Sequence, residues 1–185
     1  MQLDENIKEF LWQTSKTKVS IEQLVSLAIA TPSFVDNLVQ ISTHTSDRNA
    51  NWRAAWLLSR IADEEPRLVH SYVPDLVDYC ANNYMQCTDA QLRGLLRTLV
   101  PLTYSENACG ILLDLCSRLF KKQSYAKAVR VNAMIIITNI VLYYTDLKSE
   151  FILEFKLLVS HDEKSISAAA RKQLKRLENR ALISQ

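Results

Sequence analysis

The fold is decided by residues 51–80, which read NWRAAWLLSRIADEEPRLVHSYVPDLVDYC. In the first half, Ala55, Leu58 and Ile61 recur at helical spacing, and a second apolar stripe follows the break at residues 64–66. This pattern predicts two antiparallel helices, each with a broad apolar face. Neither helix can bury that face alone, so neighbours of the same kind must cover it.

The same pattern returns along the chain with a regular period. An apolar-polar-x-x-apolar signature begins at Trp52, Leu92, Val129 and Ile166. Its second position falls at residues 53, 93, 130 and 167, so the successive steps are 40, 37 and 37 residues. A period near 40 residues is typical of arrays built from helical pairs.

Two segments carry a family resemblance, NWRAAWLLSRIADEEPRLV at residues 51–69 and AVRVNAMIIITNIV at residues 128–141. They resemble HEAT repeats, and the resemblance covers residues 20–181. It implies an all-α fold, a short right-handed α–α superhelix of the HEAT and armadillo kind with about four to five helical pairs. Residues 1–185 then form a single domain, in which the second helices of the pairs line the concave surface.

Composition also favours helices. The chain of 185 residues is 48% hydrophobic and holds only two glycines and four prolines, too few for hairpins or phosphate-binding loops. The N-terminus is acidic and amphipathic, unlike a signal peptide, and the longest apolar run, residues 131–144, is too short and too polar to span a bilayer. We therefore expect a soluble, cytoplasmic protein without a membrane segment, whose four cysteines are reduced thiols packed in helices.

Several element boundaries follow from local signals. An N-terminal capping helix is expected within residues 1–18, and Pro32 should open a helix after Thr31. Pro74 should kink or divide the helix in which it falls. Thr88 and Gln91 form a capping box. Residues 126–144 are rich in β-branched side chains but lack alternation and any partner strand, so we predict a deeply buried helix.

No catalytic, cofactor or metal site is predicted. The three histidines are isolated in sequence, and the cysteines are paired seven residues apart, without a Cys-x-x-Cys motif. The sequence also contains no glycine-rich phosphate loop, nucleophile elbow or calcium loop.

One polar set exceeds what packing requires. Asp75, Asp78, Tyr79 and Asn82 lie at i, i+3, i+4 and i+7 of a predicted second helix, so they share one face. We expect this face to bind a partner, together with candidate residues on later second helices, namely Asp114, Arg118, Glu150 and Glu154. The alternative is an ordinary solvated face.

The C-terminal segment, residues 163–185, is predicted to be a basic capping helix. Its basic strip consists of Arg171, Lys172, Lys175, Arg176 and Arg180, which could meet phosphate or an acidic partner. A charged outer face needed for solubility is the preferred explanation of the strip. Residues 1–92 carry a net charge of 7 minus 12, or −5, and residues 93–185 carry 15 minus 8, or +7, so end-to-end self-association is also possible.

Two functions remain open at this stage. The leading one is a non-enzymatic interaction or scaffold module that binds a protein partner through the ridge of second helices. The alternative is a nucleic-acid-binding protein resembling the HEAT-like DNA alkylation-repair glycosylases, which would use Trp52, Trp56 and the basic C-terminal half. The tryptophans are better explained by helix packing.

Overall fold

The computed structural model describes residues 21–44 and 47–179, and every regular element in them is helical, which confirms the all-α prediction. The predicted N-terminal capping helix and residues 180–185 lie outside the described part. The α-helices are α1 (Ile21–Ala30), α2 (Pro32–His44), α3 (Arg48–Glu64), α4 (Val73–Asn83), α5 (Asp89–Leu99), α6 (Glu106–Lys121), α7 (Lys127–Val141), α8 (Lys148–Val159) and α9 (Lys164–Asn179).

The chain forms two compact units, residues 1–108 and residues 109–185. In the N-terminal unit, the first helices of successive pairs stack, because α3 packs against both α1 and α5, while the second helix α2 packs against α3 and α4. In the C-terminal unit, α9 packs against both α7 and α8. Each unit therefore has the HEAT-like arrangement that the repeat period predicts.

The tightest helix contact in the N-terminal unit lies between α3 and α5. A Cβ atom placed on Gly94 would lie 2.7 Å from the Cβ atom of Ala55 and 2.9 Å from its carbonyl carbon. Ala55 and its neighbours Leu58 and Ile61 are fully buried. The absence of a side chain at residue 94 therefore sets how closely two successive repeats approach.

The connection between α3 and α4 is divided as predicted. Two short 3-10 segments, Pro66–Leu68 and His70–Tyr72, precede α4, and Pro74 lies in its first turn. Proline fits there because the first backbone N–H groups of a helix have no partner within it. Helix α4 therefore begins at Val73. Its first polar residue, Asp75, lies next to α2.

The β-branched segment forms helix α7, as predicted, and the polar position of the repeat, Arg130, is buried in it. Arg130 is 1% exposed, and its Nε donates to the carbonyl of Phe120 at 3.0 Å. Its Nη1 lies 3.0 Å from Oε2 of Glu163, which also pairs with Lys127 at 3.4 Å. This polar position of the repeat is therefore buried, and it links three helical segments of the C-terminal unit.

Residues 21–44 and 47–179 contain no single helix that is long and apolar enough to cross a membrane. Residues 22–30 and 33–44, which are bent by 109° relative to each other, reach that length and apolar content only when taken together. None of the four cysteines, all of which lie in the described residues, forms a disulfide. Cys80, Cys109 and Cys116 are buried among the helices, and burial raises the pKa of the Cys116 thiol.

Candidate partner-binding groove

A groove of about 550 Å³ lies between α2 and α4, the second helices of two successive pairs, and we call it the α2–α4 groove. The four residues that the sequence places on one helical face, Asp75, Asp78, Tyr79 and Asn82, all line it. Asp75 and Asp78 are exposed, and Tyr79 is half-buried. The structure thus places this set in a concavity between two helices.

The wall on α2 was missed by the sequence analysis. It includes Asp36, Gln40, Thr43 and His44. These residues follow i, i+4 and i+7/i+8 spacing, the same signal that identified the face on α4. Because residues 20–42 fit the repeat period poorly, the repeat pattern did not predict that this face of α2 lies opposite α4.

The groove is acidic. Its described lining contains three carboxylates, Asp36, Asp75 and Asp78, and neither lysine nor arginine. Asp75 and Asp78 form no ion pair with any residue in the described ranges. Carboxylates on neighbouring helices with low-dielectric walls concentrate a negative potential, so the groove attracts cationic groups.

Tyr79 forms part of the groove lining and is fixed by a buried hydrogen-bond network. Gln91, 4% exposed on α5, donates from Nε2 to the Tyr79 hydroxyl at 3.1 Å and to the carbonyl of Ser42 at 2.8 Å. The amide of Gln91 therefore ties α2, α4 and α5 together. The sequence predicted that this side chain forms a capping box with Thr88. Of the two hydrogen bonds of such a box, the structure contains the one from the Gln91 N–H to Thr88 Oγ1, at 3.2 Å.

Burial, with a smaller contribution from the nearby Cys87 thiol, raises the pKa of Tyr79 to about 12. The Cys87 thiol lies 4.0 Å from the phenol oxygen, and burial raises the pKa of this thiol as well. The ring of His44 lies 6.3 Å from that of Tyr79. The phenol is thus a neutral hydrogen-bonding group at physiological pH.

A second phenol joins the two walls directly. The hydroxyl of Tyr72 donates to a carboxylate oxygen of Asp36, connecting the segment before α4 to α2. Burial raises the pKa of Tyr72 to about 12, and the hydrogen bond and charge of Asp36 act in the same direction. This contact holds one end of the groove, while Asn82 and Asn83 donate to the carbonyls of Asp78 and Tyr79 at the end of α4.

The other predicted ridge residues lie in the C-terminal unit, and three of the four form ion pairs there. Asp114 and Arg118 pair with each other on α6 at 2.7 Å, and Glu154 on α8 pairs with Lys121 at 2.6 Å. Glu150 is exposed in the first turn of α8. Unlike Asp75 and Asp78, three of these four charges are used within the unit.

The basic strip on α9 is partly structural. Arg171 donates to the carbonyl of Val159 at 3.2 Å, and Arg176 donates to Asn139 at 2.7 Å and to Gln173 at 2.8 Å. Lys172 and Lys175 are exposed. Arg180 lies outside the described residues.

The tryptophans of α3 differ in their surroundings. The guanidinium of Arg53 lies over the ring of Trp52, 5.2 Å from its centroid. Trp56 is 42% exposed, so helix packing accounts for only part of its surface. Within the part of the chain that the structure describes, no three histidine, cysteine or acidic side chains are grouped so that they could hold a metal ion.

Comparison with known proteins agrees with this architecture. A family model described as a HEAT repeat domain matches residues 7–177, nearly the whole chain. The protein therefore belongs to the HEAT repeat family, whose repeats generally mediate protein–protein interaction or scaffolding. No curated protein and no solved structure matches the chain.

Proposed function

We propose that the protein is a non-enzymatic binding module that holds a protein partner in the α2–α4 groove. One observation carries the proposal: the polar residues that exceed the packing needs of α4 line a concavity whose opposite wall is the preceding second helix. A groove between two rigid helices presents side chains in fixed positions, which lowers the conformational entropy lost on binding.

The chemistry of the groove suits recognition better than catalysis. Its phenols are neutral and hydrogen-bonded, and its carboxylates lie at an exposed surface. A catalytic base or nucleophile needs a pKa near the working pH and a partner that orients it. The groove instead provides acceptors and negative charge, which recognise N–H donors and cationic side chains of a partner.

The first test is retention of a bound partner by variants of the groove. Asp75→Lys combined with Asp78→Lys reverses the charge of the α4 wall at two exposed positions. Glu64→Lys combined with Glu106→Lys makes the same change in net charge at exposed positions outside the groove. We expect affinity purification and quantitative mass spectrometry to show at least a tenfold loss of co-purified partner for the groove variant only.

Equal retention by the groove variant and the control variant would contradict the proposal. Circular dichroism of each variant verifies that the helices are intact. Asp75→Asn combined with Asp78→Asn, which removes charge with little change in shape, should give an intermediate loss because hydrogen-bond acceptors remain.

A further inference from the structure

We infer that the partner in the α2–α4 groove is a second copy of this chain, which inserts the basic outer face of its α9. This inference rests on the proposed function, because it names the occupant of the same groove. It also accounts for the opposite charges of the two halves of the sequence, −5 for residues 1–92 and +7 for residues 93–185.

The outer face of α9 has the charge that the groove lacks. Among its described residues, α9 carries one acid, Glu178, against five lysine and arginine residues. Lys172 and Lys175 are exposed on neighbouring turns and form no ion pair with any described residue. Ala168, one turn earlier, is exposed and small, so the helix can approach another surface closely there.

The spacing of the acidic residues on α4 matches the spacing of the basic residues on α9. Asp75 and Asp78 are three residues apart on α4, and Lys172 and Lys175 are three residues apart on α9, so each pair is separated by about 4.5 Å along its helix axis. If the two helices lie antiparallel, Asp75 faces Lys175 and Asp78 faces Lys172. Two ion pairs then form together without any change in helix geometry.

Three of the other predicted ridge charges are already paired. In the C-terminal unit, Asp114 pairs with Arg118 and Glu154 pairs with Lys121. Asp75 and Asp78 on the α4 wall and Lys172 and Lys175 on α9 are exposed and form no ion pair with any described residue, so both sets remain available to a second copy.

The inferred interface joins two different surfaces, so each copy offers one groove and one basic helix. Such heterologous contacts produce rings or open chains of subunits and do not stop at a two-fold dimer unless the geometry closes. Exposed ion pairs are individually weak and are screened by salt. Association should therefore be weak, concentration-dependent and sensitive to ionic strength.

Multi-angle light scattering over a range of protein concentrations tests the inference. At about 0.03 M salt we expect the mean mass to rise with concentration beyond twice the monomer mass, and at about 0.5 M salt we expect it to return to the monomer value, because the screening length falls from nearly 20 Å to about 4 Å. A monomer at every concentration and both salt levels would overturn the inference.

Charge reversal identifies the surfaces. The groove variant, Asp75→Lys with Asp78→Lys, and the helix variant, Lys172→Glu with Lys175→Glu, should each remain monomeric at low salt. An equimolar mixture of the two should associate again, because the basic groove of one accepts the acidic helix of the other. The control variant, Glu64→Lys with Glu106→Lys, should associate like the natural chain.

Two results separate this inference from the proposed function. If the mixture of reversed variants stays monomeric while the natural chain associates, a different surface joins the copies and the inference fails. Suppose instead that the natural chain is monomeric and co-purifies with a protein of another sequence, and that the groove variant loses this protein. The groove is then a binding site, and the inference about its occupant is wrong.

Discussion

At the scale of single residues, Tyr72 and Tyr79 define the ends and lining of the groove, and both are held in the neutral state. Tyr72 donates to Asp36, and Tyr79 accepts from Gln91. Neither contact could be predicted from sequence, because the partners lie 36 and 12 residues away and belong to other helices. What the sequence did indicate was the face on which Tyr79 lies.

These phenols predict how stability depends on alkaline pH. A tyrosine in the unfolded chain titrates near pH 10, whereas the pKa of Tyr72 and of Tyr79 is about 12 in the folded protein. Between those values the folded state binds more protons than the unfolded state, so the free energy of unfolding falls as pH rises from 10 to 12. Below pH 10 the contribution is fully present.

Urea unfolding at several pH values between 9 and 11.5 measures this dependence. The double variant Tyr72→Phe with Tyr79→Phe should be less stable at pH 9, because it loses two hydrogen bonds, but its stability should decline less steeply above pH 10. The matched control is Tyr143→Phe, since Tyr143 is 77% exposed. Identical slopes for the natural chain and the double variant would refute the assignment.

At the scale of helices, the repeat period predicted which elements pair, because apolar spacing reflects burial, and local signals predicted where they divide. The helix at residues 127–141 and the division at Pro74 were both predicted correctly. The period failed at residues 20–42, where α2 supplies half of the groove. It also gave no indication that Arg130 is buried, since its compensation by Glu163 depends on a contact 33 residues away.

The two glycines give a matched test of helix packing. Gly94→Ala in α5 places a methyl group 2.7 Å from Ala55, so α3 and α5 must separate, and we expect a loss of about 1–3 kcal/mol in the free energy of unfolding. Gly110→Ala in α6 meets nothing within 4 Å. There the lower entropy of alanine in the unfolded chain should stabilise the protein by about 0.5–1 kcal/mol.

The melting temperature and the urea midpoint should therefore fall for Gly94→Ala and rise for Gly110→Ala. If Gly94→Ala were as stable as the natural chain, α3 and α5 would not be in the close contact described. Because the substitution also affects how α5 positions Gln91, we expect the variant to weaken partner binding as well.

At the scale of the whole molecule, the resemblance to HEAT repeats was predicted from the sequence and is confirmed by the family match over residues 7–177. The sequence identified one wall of the groove, Asp75 to Asn82, and left the opposite wall unseen. Within the basic strip, Arg171 and Arg176 bind carbonyl and amide oxygens of their own unit. Only side-chain contacts distinguish cations used within the fold from those, such as Lys172 and Lys175, that face outward.

The central claim is that the α2–α4 groove is the surface that receives a protein partner, and site-specific photocross-linking tests it most directly. A photoreactive benzoylphenylalanine at position 82 replaces Asn82 on the groove lining, and the same group at position 64 replaces exposed Glu64 outside the groove. We predict a cross-linked product from position 82, abolished by Asp75→Lys with Asp78→Lys, and little from position 64. Equal yields from the two positions, or a yield from position 82 that survives the charge reversal, would contradict the account.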